Sequence, residues 1–384
     1  MNPLWLYSAS KPILTERGEV KTPFYNKLAY IGLYLAILCL LSVIAFHFPE
    51  YLSNPRLRNA YNVDVLRIVL YCSIYLAFAC GGVALLFSDK KMMALAVLGV
   101  TATATILCGS AVTVTIPIQQ KPLYFSLDLI ILDLLLMSLL FVPLERIFYL
   151  RRQGLLRDGI KTDLSHYGLN HLLMGGVFLL LAWPGNLIHR YVFANSIPQL
   201  VQQLPLWAQV LLILFVADFA QYWIHRLFHR HKRLWQFHKI HHSTRHMDWL
   251  ASSRLHIVDV IITRGFSYIP IVCLGFSEQA VETYLPIVAV QALFVHSNTR
   301  FHFGPLRFIL TTPIVHHWHH SSDPKALDKN FAVTFSFIDV MFGTFYCPRV
   351  WPETYGLYQE EISDSFVKQL LYPFVDQFRK VHLS

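Results

Sequence analysis

Charge is scarce in this chain. Only 14% of its 384 residues are Asp, Glu, Lys or Arg, against about a quarter in ordinary soluble domains, while 55% are hydrophobic. The apolar excess falls in long uncharged runs, which argues against a soluble globular protein and for a polytopic membrane protein. Acids are the scarcer sign: 23 stand against 32 Lys and Arg, a net charge of +9. In a membrane chain that surplus reads as a cytosolic face meeting anionic lipid and not as nucleic-acid binding. The six cysteines (Cys39, Cys72, Cys80, Cys108, Cys273 and Cys347) are scattered with no C-x2-C pair. Neither a disulfide framework nor an iron–sulfur site is indicated. There is no GxGxxG after a strand, no haem-binding domain, no internal repeat and no low-complexity linker. The first residues lack the charged, apolar, small-residue order of a signal peptide, and the first long apolar run begins only at Leu28.

Histidine is what the chain has in excess. Most of its 19 histidines sit between His225 and His320. His225 and His229 form H-x3-H; His238, His241 and His242 form H-x2-HH; His316, His319 and His320 repeat H-x2-HH. Positions three and four apart share a helix face, so each box can aim its imidazoles at one point. Eight imidazoles exceed the four that close a tetrahedral site, and two metals with open positions fit the number better. His231, His246 and His302 fall outside the boxes and read as parts of a basic surface.

These residues are recognisable as a set. The ordered motifs DxxxYWxHRxxH from Asp218, HKIHHS, HSN at His296–Asn298 and TPxxHHWHHS, followed by DKNF and FGTF, resemble the fatty acid hydroxylase/sterol desaturase superfamily of membrane enzymes. The resemblance covers about residues 160 to 350. It implies a di-iron centre, two iron ions held by histidines, with dioxygen as co-substrate and a lipid carbon–hydrogen bond as target. The ligands it implies are His225, His229, His238, His241, His242, His296, His316, His319 and His320. His256, in LHIVDV, and His317 are further candidates as ligands or supporting groups. Asp218 lies two helical turns before His225, where it orients a ligand imidazole or is a buried acid satisfied elsewhere. Asn298 reads as a supporting hydrogen bonder or a turn residue. The boxes do not separate hydroxylation from desaturation. The competing readings are a non-catalytic or transport-type histidine-rich metal-binding membrane protein. Reducing dioxygen takes external electrons, so the chain implies a separate electron-transfer protein of the cytochrome b5, ferredoxin or reductase type.

The expected fold is all-α, a polytopic membrane helical bundle with a cytosolic histidine-rich metal-binding cap. Four apolar runs, about Leu28–Phe46, Ile68–Ser88, Met92–Ile116 and Tyr124–Pro143, approach the twenty residues a bilayer needs. Asp128 and Asp133 inside the fourth are read as paired within the bundle. The basic loop from Glu145 to Lys161 divides an N-terminal bundle (1–150) from a catalytic domain (151–350), with a membrane-surface tail at 351–384. Two more runs, Leu172–Leu187 and Leu206–Ile224, precede His225. An apolar hairpin, Ile257–Leu274 and Tyr284–Val295, has GFSEQ at its tip. Placing Lys11, Arg17, Lys21, Lys27, Lys90, Lys91, Arg151 and Arg152 inside brings the boxes out on the cytosolic side. The expected location is a bacterial inner membrane or the endoplasmic reticulum.

Overall fold

The computed structural model describes residues 23–54, 62–113, 125–188 and 196–381. Lys11, Arg17 and Lys21, the end of the third run at Ile116 and the start of the fourth at Tyr124 lie outside the described residues. Among the described residues the regular structure is helical, with two isolated bridges, Tyr149–Thr299 and Ser321–Tyr355, and no longer strand. The chain divides into two compact units, 1–132 and 133–384.

The first unit contains α1 (Pro23–His47), α2 (Val63–Phe87) and α3 (Lys91–Ile106). Small side chains let these helices approach closely: a Cβ added at Gly81 would stand 2.9 Å from atoms of Val97 and Leu98. Their outer faces stay apolar, with Leu86 70% and Met92 79% exposed, the surface that a hydrocarbon solvent asks for. Asn62 caps α2 through its side-chain oxygen, which accepts from the Asp64 and Val65 amides.

Next come α4 (Leu127–Ile147), α5 (Ile160–Ile188), α6 (Ser196–Gln202), α7 (Leu206–Arg230) and α8 (Lys232–His242). They are followed by α9 (Ile257–Leu274), α10 (Glu278–His296), α11 (Pro313–His319), α12 (Phe337–Met341) and α13 (Phe366–Val381). Six described helices (α1, α2, α3, α4, α7 and α9) are long and apolar enough to cross a bilayer. The chain is an integral membrane protein. The run at Leu172–Leu187 falls inside α5, where side chains 174–186 lie outside the described residues. The hairpin folds as α9 and α10: Gly275 takes the left-handed C-cap at φ 65° and Ser277 caps the return helix. The return limb α10 is not among the six.

The two acids of the fourth run find partners within their own units. Asp128 accepts the Asn54 amide at 2.9 and 3.0 Å; Asp133 accepts the Tyr167 hydroxyl at 2.8 Å.

Behind the histidine region lies a buried ionic network. Arg157 Nη2 contacts Asp163 at 2.7 Å and Asp248 at 2.6 Å, and Arg254 Nε contacts Asp163 at 2.5 Å, while Arg254 Nη1 reaches out to the exposed Asp364 at 2.9 Å. Gly159, at φ 79°, lets the guanidinium pass: a Cβ there would meet Arg254 Nη2 at 2.4 Å. Deleting one partner of such a pair strands a buried charge, so Asp163→Ala is expected to cost about 3–5 kcal/mol of stability. Thermal unfolding in detergent reads this directly. A midpoint unchanged from the parent chain would mean the network is solvated.

Candidate metal centre

α7 supplies His225 and His229 one turn apart near its C-terminus. His231 is both the last cap of α7 and the first cap of α8, with extended backbone at φ −95°, ψ 113°. That single non-helical residue turns the chain, so His238, His241 and His242 of α8 come back towards α7. His296 closes α10, and the seven-residue α11, opened by Pro313 at its first position, carries His316 and His319, with His320 as its cap.

The structure brings these nine histidines into two groups. His225, His229, His238, His242 and His319 form one; His241, His296, His316 and His320 form the other. Within each group, one nitrogen per residue lies within 4.8 Å of every other. The second box is thereby divided between the two groups: His238 and His242 belong to the first and His241 to the second.

The outer nitrogens explain why the inner ones converge. His225 Nδ1 donates to the Phe331 carbonyl at 2.7 Å, His241 Nδ1 to Arg254 at 3.2 Å, His296 Nδ1 to Ala292 at 2.7 Å and His319 Nδ1 to Lys329 at 2.7 Å. His238 Nδ1 lies 2.7 Å from Asp259 Oδ2, and His229 Nδ1 3.3 Å from Asp328 Oδ1. A carbonyl cannot donate, so each of those Nδ1 atoms carries the proton and Nε2 is left with a bare lone pair. These lone pairs then face one another. His225 and His238 Nε2 are 3.0 Å apart, His241 and His296 Nε2 3.2 Å, and His296 and His316 Nε2 3.0 Å. The buried Nε2 atoms of His229, His242 and His319, with Nδ1 of His316 and His320, have no hydrogen-bond partner.

Converging lone pairs in a buried site repel unless a cation sits among them. Burial, with the neighbouring histidines, holds His241, His242, His316 and His320 well below the usual imidazole range, and burial pushes His319 down to about 3. The proton is therefore a poor candidate for that cation. The donor set, neutral imidazole with the second nitrogen of six of the nine rings held by a carbonyl or carboxylate, fits a divalent transition metal.

Of the two readings open for Asp218, the structure shows the buried acid satisfied away from the histidines. Asp218 contacts no histidine: its carboxylate accepts the amides of Val333, Thr334 and Phe335 at 2.9, 3.1 and 2.7 Å. Asp339 takes the Phe331 and Ala332 amides at 2.8 and 2.9 Å. Together the two acids fix the loop whose Phe331 carbonyl holds His225, so Asp218 acts on the site one step removed. Asp259, which does meet a box histidine, has no helical spacing to His238. Its sequence signal is an acid in the first turn of an apolar helix.

Three further candidates stand outside both groups. His256 accepts the Val258 amide on Nδ1 and donates from Nε2 to the Leu370 carbonyl. His317 donates from Nε2 to the Ser297 carbonyl and meets the Tyr355 hydroxyl on Nδ1 at 2.7 Å. Both rings have their nitrogens engaged elsewhere. Asn298 ties the end of α10 to residues 145–151: its amide donates to Glu145, its side chain donates to the Arg151 carbonyl and accepts the Arg151 amide. His302 accepts from the Trp351 indole, and His231 is exposed at the helix junction.

Residues 210–344 match the family model for fatty acid hydroxylase. The chain is 34% identical over 181 residues to an ornithine lipid hydroxylase, OlsE, of Rhizobium tropici, a stretch covering 46% of this chain and 54% of the relative. It is 31% identical over 191 residues to an alkylglycerol monooxygenase of Xenopus tropicalis, covering 48% of this chain and 42% of the relative. A very-long-chain aldehyde decarbonylase, GL1-10, of Oryza sativa subsp. japonica is 28% identical over 141 residues, 36% of this chain and 46% of the relative. The chain thus spans about half the length of these relatives. No solved structure matches. The ordered boxes thus fold into two groups of converging imidazoles inside the segment that matches the fatty acid hydroxylase family.

Proposed function

We propose that this chain is a membrane-bound di-iron oxidoreductase that hydroxylates a lipid with dioxygen. One observation carries the reading: nine buried imidazoles converge as two groups with their lone pairs inward, beside helices apolar enough to sit in a bilayer. Two iron ions, one per group, match the donor number and type. Bound iron supplies the dioxygen chemistry that no amino-acid side chain performs. The protein's own work is to hold the imidazoles neutral and oriented, through Phe331, Lys329, Arg254 and Ala292 carbonyls and Asp259, and to offer a lipid chain an apolar approach. Hydroxylation is preferred to desaturation because the ornithine lipid and alkylglycerol relatives are named for hydroxylation and mono-oxygenation. The substrate class is an amphipathic membrane lipid.

The domain assignment belongs to the same proposal. An N-terminal bundle spans residues 1–150, the catalytic region spans 151–350, and a tail spans 351–384. The groups face the cytosol, by the excess of Lys and Arg in the loops on that side.

The test is lipid mass spectrometry of cells carrying the wild-type chain or a His320→Ala chain. A lipid one oxygen atom heavier, present only with the wild type, is expected. A species two hydrogens lighter would instead make the reaction a desaturation, and identical lipid profiles would remove the enzyme reading.

Electrons must come from another protein, because the chain offers neither a nucleotide-binding GxGxxG nor a cysteine cluster. Purified chain with NADH or NADPH alone is expected to turn over at under about a hundredth of its rate with a cytochrome b5-type or ferredoxin donor added. Equal rates would contradict a separate donor.

A further inference from the structure

The last described helix, α13, is a surface helix with two unlike faces. Val367, Leu371, Phe374 and Val375 recur at spacings of four, three and one, an arc of about 100° on a helix. All four are outward, at 61, 55, 44 and 50% exposed, and Lys368 borders them, also exposed. The opposite face is built into the catalytic unit. Gln369 is fully buried, with Oε1 3.0 Å from His166 Nε2. The Leu370 carbonyl accepts from His256 Nε2 at 3.1 Å. Tyr372 Oη stands 3.2 Å from Lys239 Nζ, which also meets Glu360 at 2.6 Å. Lys239 sits between His238 and His241.

The depth of the helix follows from its neighbours. The Phe374 ring packs 5.6 Å from Phe237 and 5.9 Å from His256. His256 caps α9, one of the helices apolar enough to cross the bilayer. Phe374 therefore lies level with the first turn of a helix apolar enough to cross the bilayer, the depth at which headgroups meet acyl chains. An apolar stripe bordered by a cation at that depth is the pattern of a helix lying in the interface.

We propose that Phe366–Val381 is an interfacial helix that rests its Val367, Leu371, Phe374 and Val375 stripe on the lipid surface and, with its other face, holds the second histidine box in place. The bilayer is then the outer wall of the metal site: α8 is pressed between the two histidine groups on one side and a lipid-seated helix on the other. The lipid half stands on geometry alone; the second half rests on the metal reading above.

Two measurements on the full chain in vesicles of phosphatidylethanolamine and phosphatidylglycerol decide it. A photo-crosslinking amino acid at position 371 is expected to yield phospholipid adducts by mass spectrometry. Adducts to a second copy of the chain, or none but water, would overturn the lipid contact. The double variant Leu371→Glu/Val375→Glu is expected to lose its metal to a chelator about tenfold faster than the parent, while Leu371→Met/Val375→Ile loses it at the parent rate. Equal rates for the Glu variant would overturn the coupling to the second box. Should the parent itself carry no metal, the metal reading fails, and the crosslink at 371 still decides the lipid contact.

Discussion

His242→Ala is expected to lose the metal of its group together with nearly all turnover, whereas His231→Ala should keep both. The two histidines lie in one basic stretch, so a model built on charge or composition treats them alike. Geometry separates them. His242 is buried, its Nε2 has no hydrogen-bond partner, and it is one of five imidazoles that come within 4.8 Å of one another. His231 is exposed and serves as the bend between α7 and α8 through its backbone. Removing a ligand changes the coordination number on which an open metal site depends, so the loss should exceed the roughly 10- to 100-fold that removing a supporting partner costs. His320→Ala and His302→Ala should repeat the contrast for the other group. Metal and turnover lost equally in all four variants would mean that a basic surface has been mistaken for a metal site.

Asp259→Asn should lower metal affinity about 10- to 100-fold, the usual cost of losing the group that orients a ligand imidazole. Asp259 and His238 have side chains 1% and 4% exposed and meet at 2.7 Å. The carboxylate fixes the proton on Nδ1 and pushes electron density towards the Nε2 that faces the metal. Asparagine keeps the shape and removes the charge. Competition against a graded series of chelators gives the affinity, and thermal unfolding alongside separates it from a folding defect. Parent affinity in a stably folded Asp259→Asn chain would show that the carboxylate serves packing only.

The helices were legible in the sequence because membrane spans are written in one dimension. Runs of apolar residues near Leu28, Ile68, Met92 and Leu206 need no partner to be recognised, and α1, α2, α3 and α7 begin close to them. The spacing also placed the imidazoles of each box on one helical face. What spacing did not give was the division into two groups, because the adjacent His241 and His242 join different groups only through the histidines that α7, α10 and α11 bring against them. The supporting groups were hidden for the same reason. Asp259 and the carbonyls of Phe331, Lys329 and Arg254 reach their histidines through tertiary folding, and a backbone oxygen leaves no mark in a sequence. Asp218 is a case where the sequence left two readings open. Helical spacing aligned it with His225, and the structure shows the alternative, a buried acid satisfied by three loop amides. A buried acid goes to the densest set of donors within reach.

The iron-to-chain ratio of the protein, purified in mild detergent and read by elemental analysis, is the most direct test of the two-group centre. About two iron ions per wild-type chain are expected, falling to about one in both His242→Ala and His320→Ala, since each lesion empties one group. A wild-type ratio near zero, or a ratio that neither substitution moves, would contradict it.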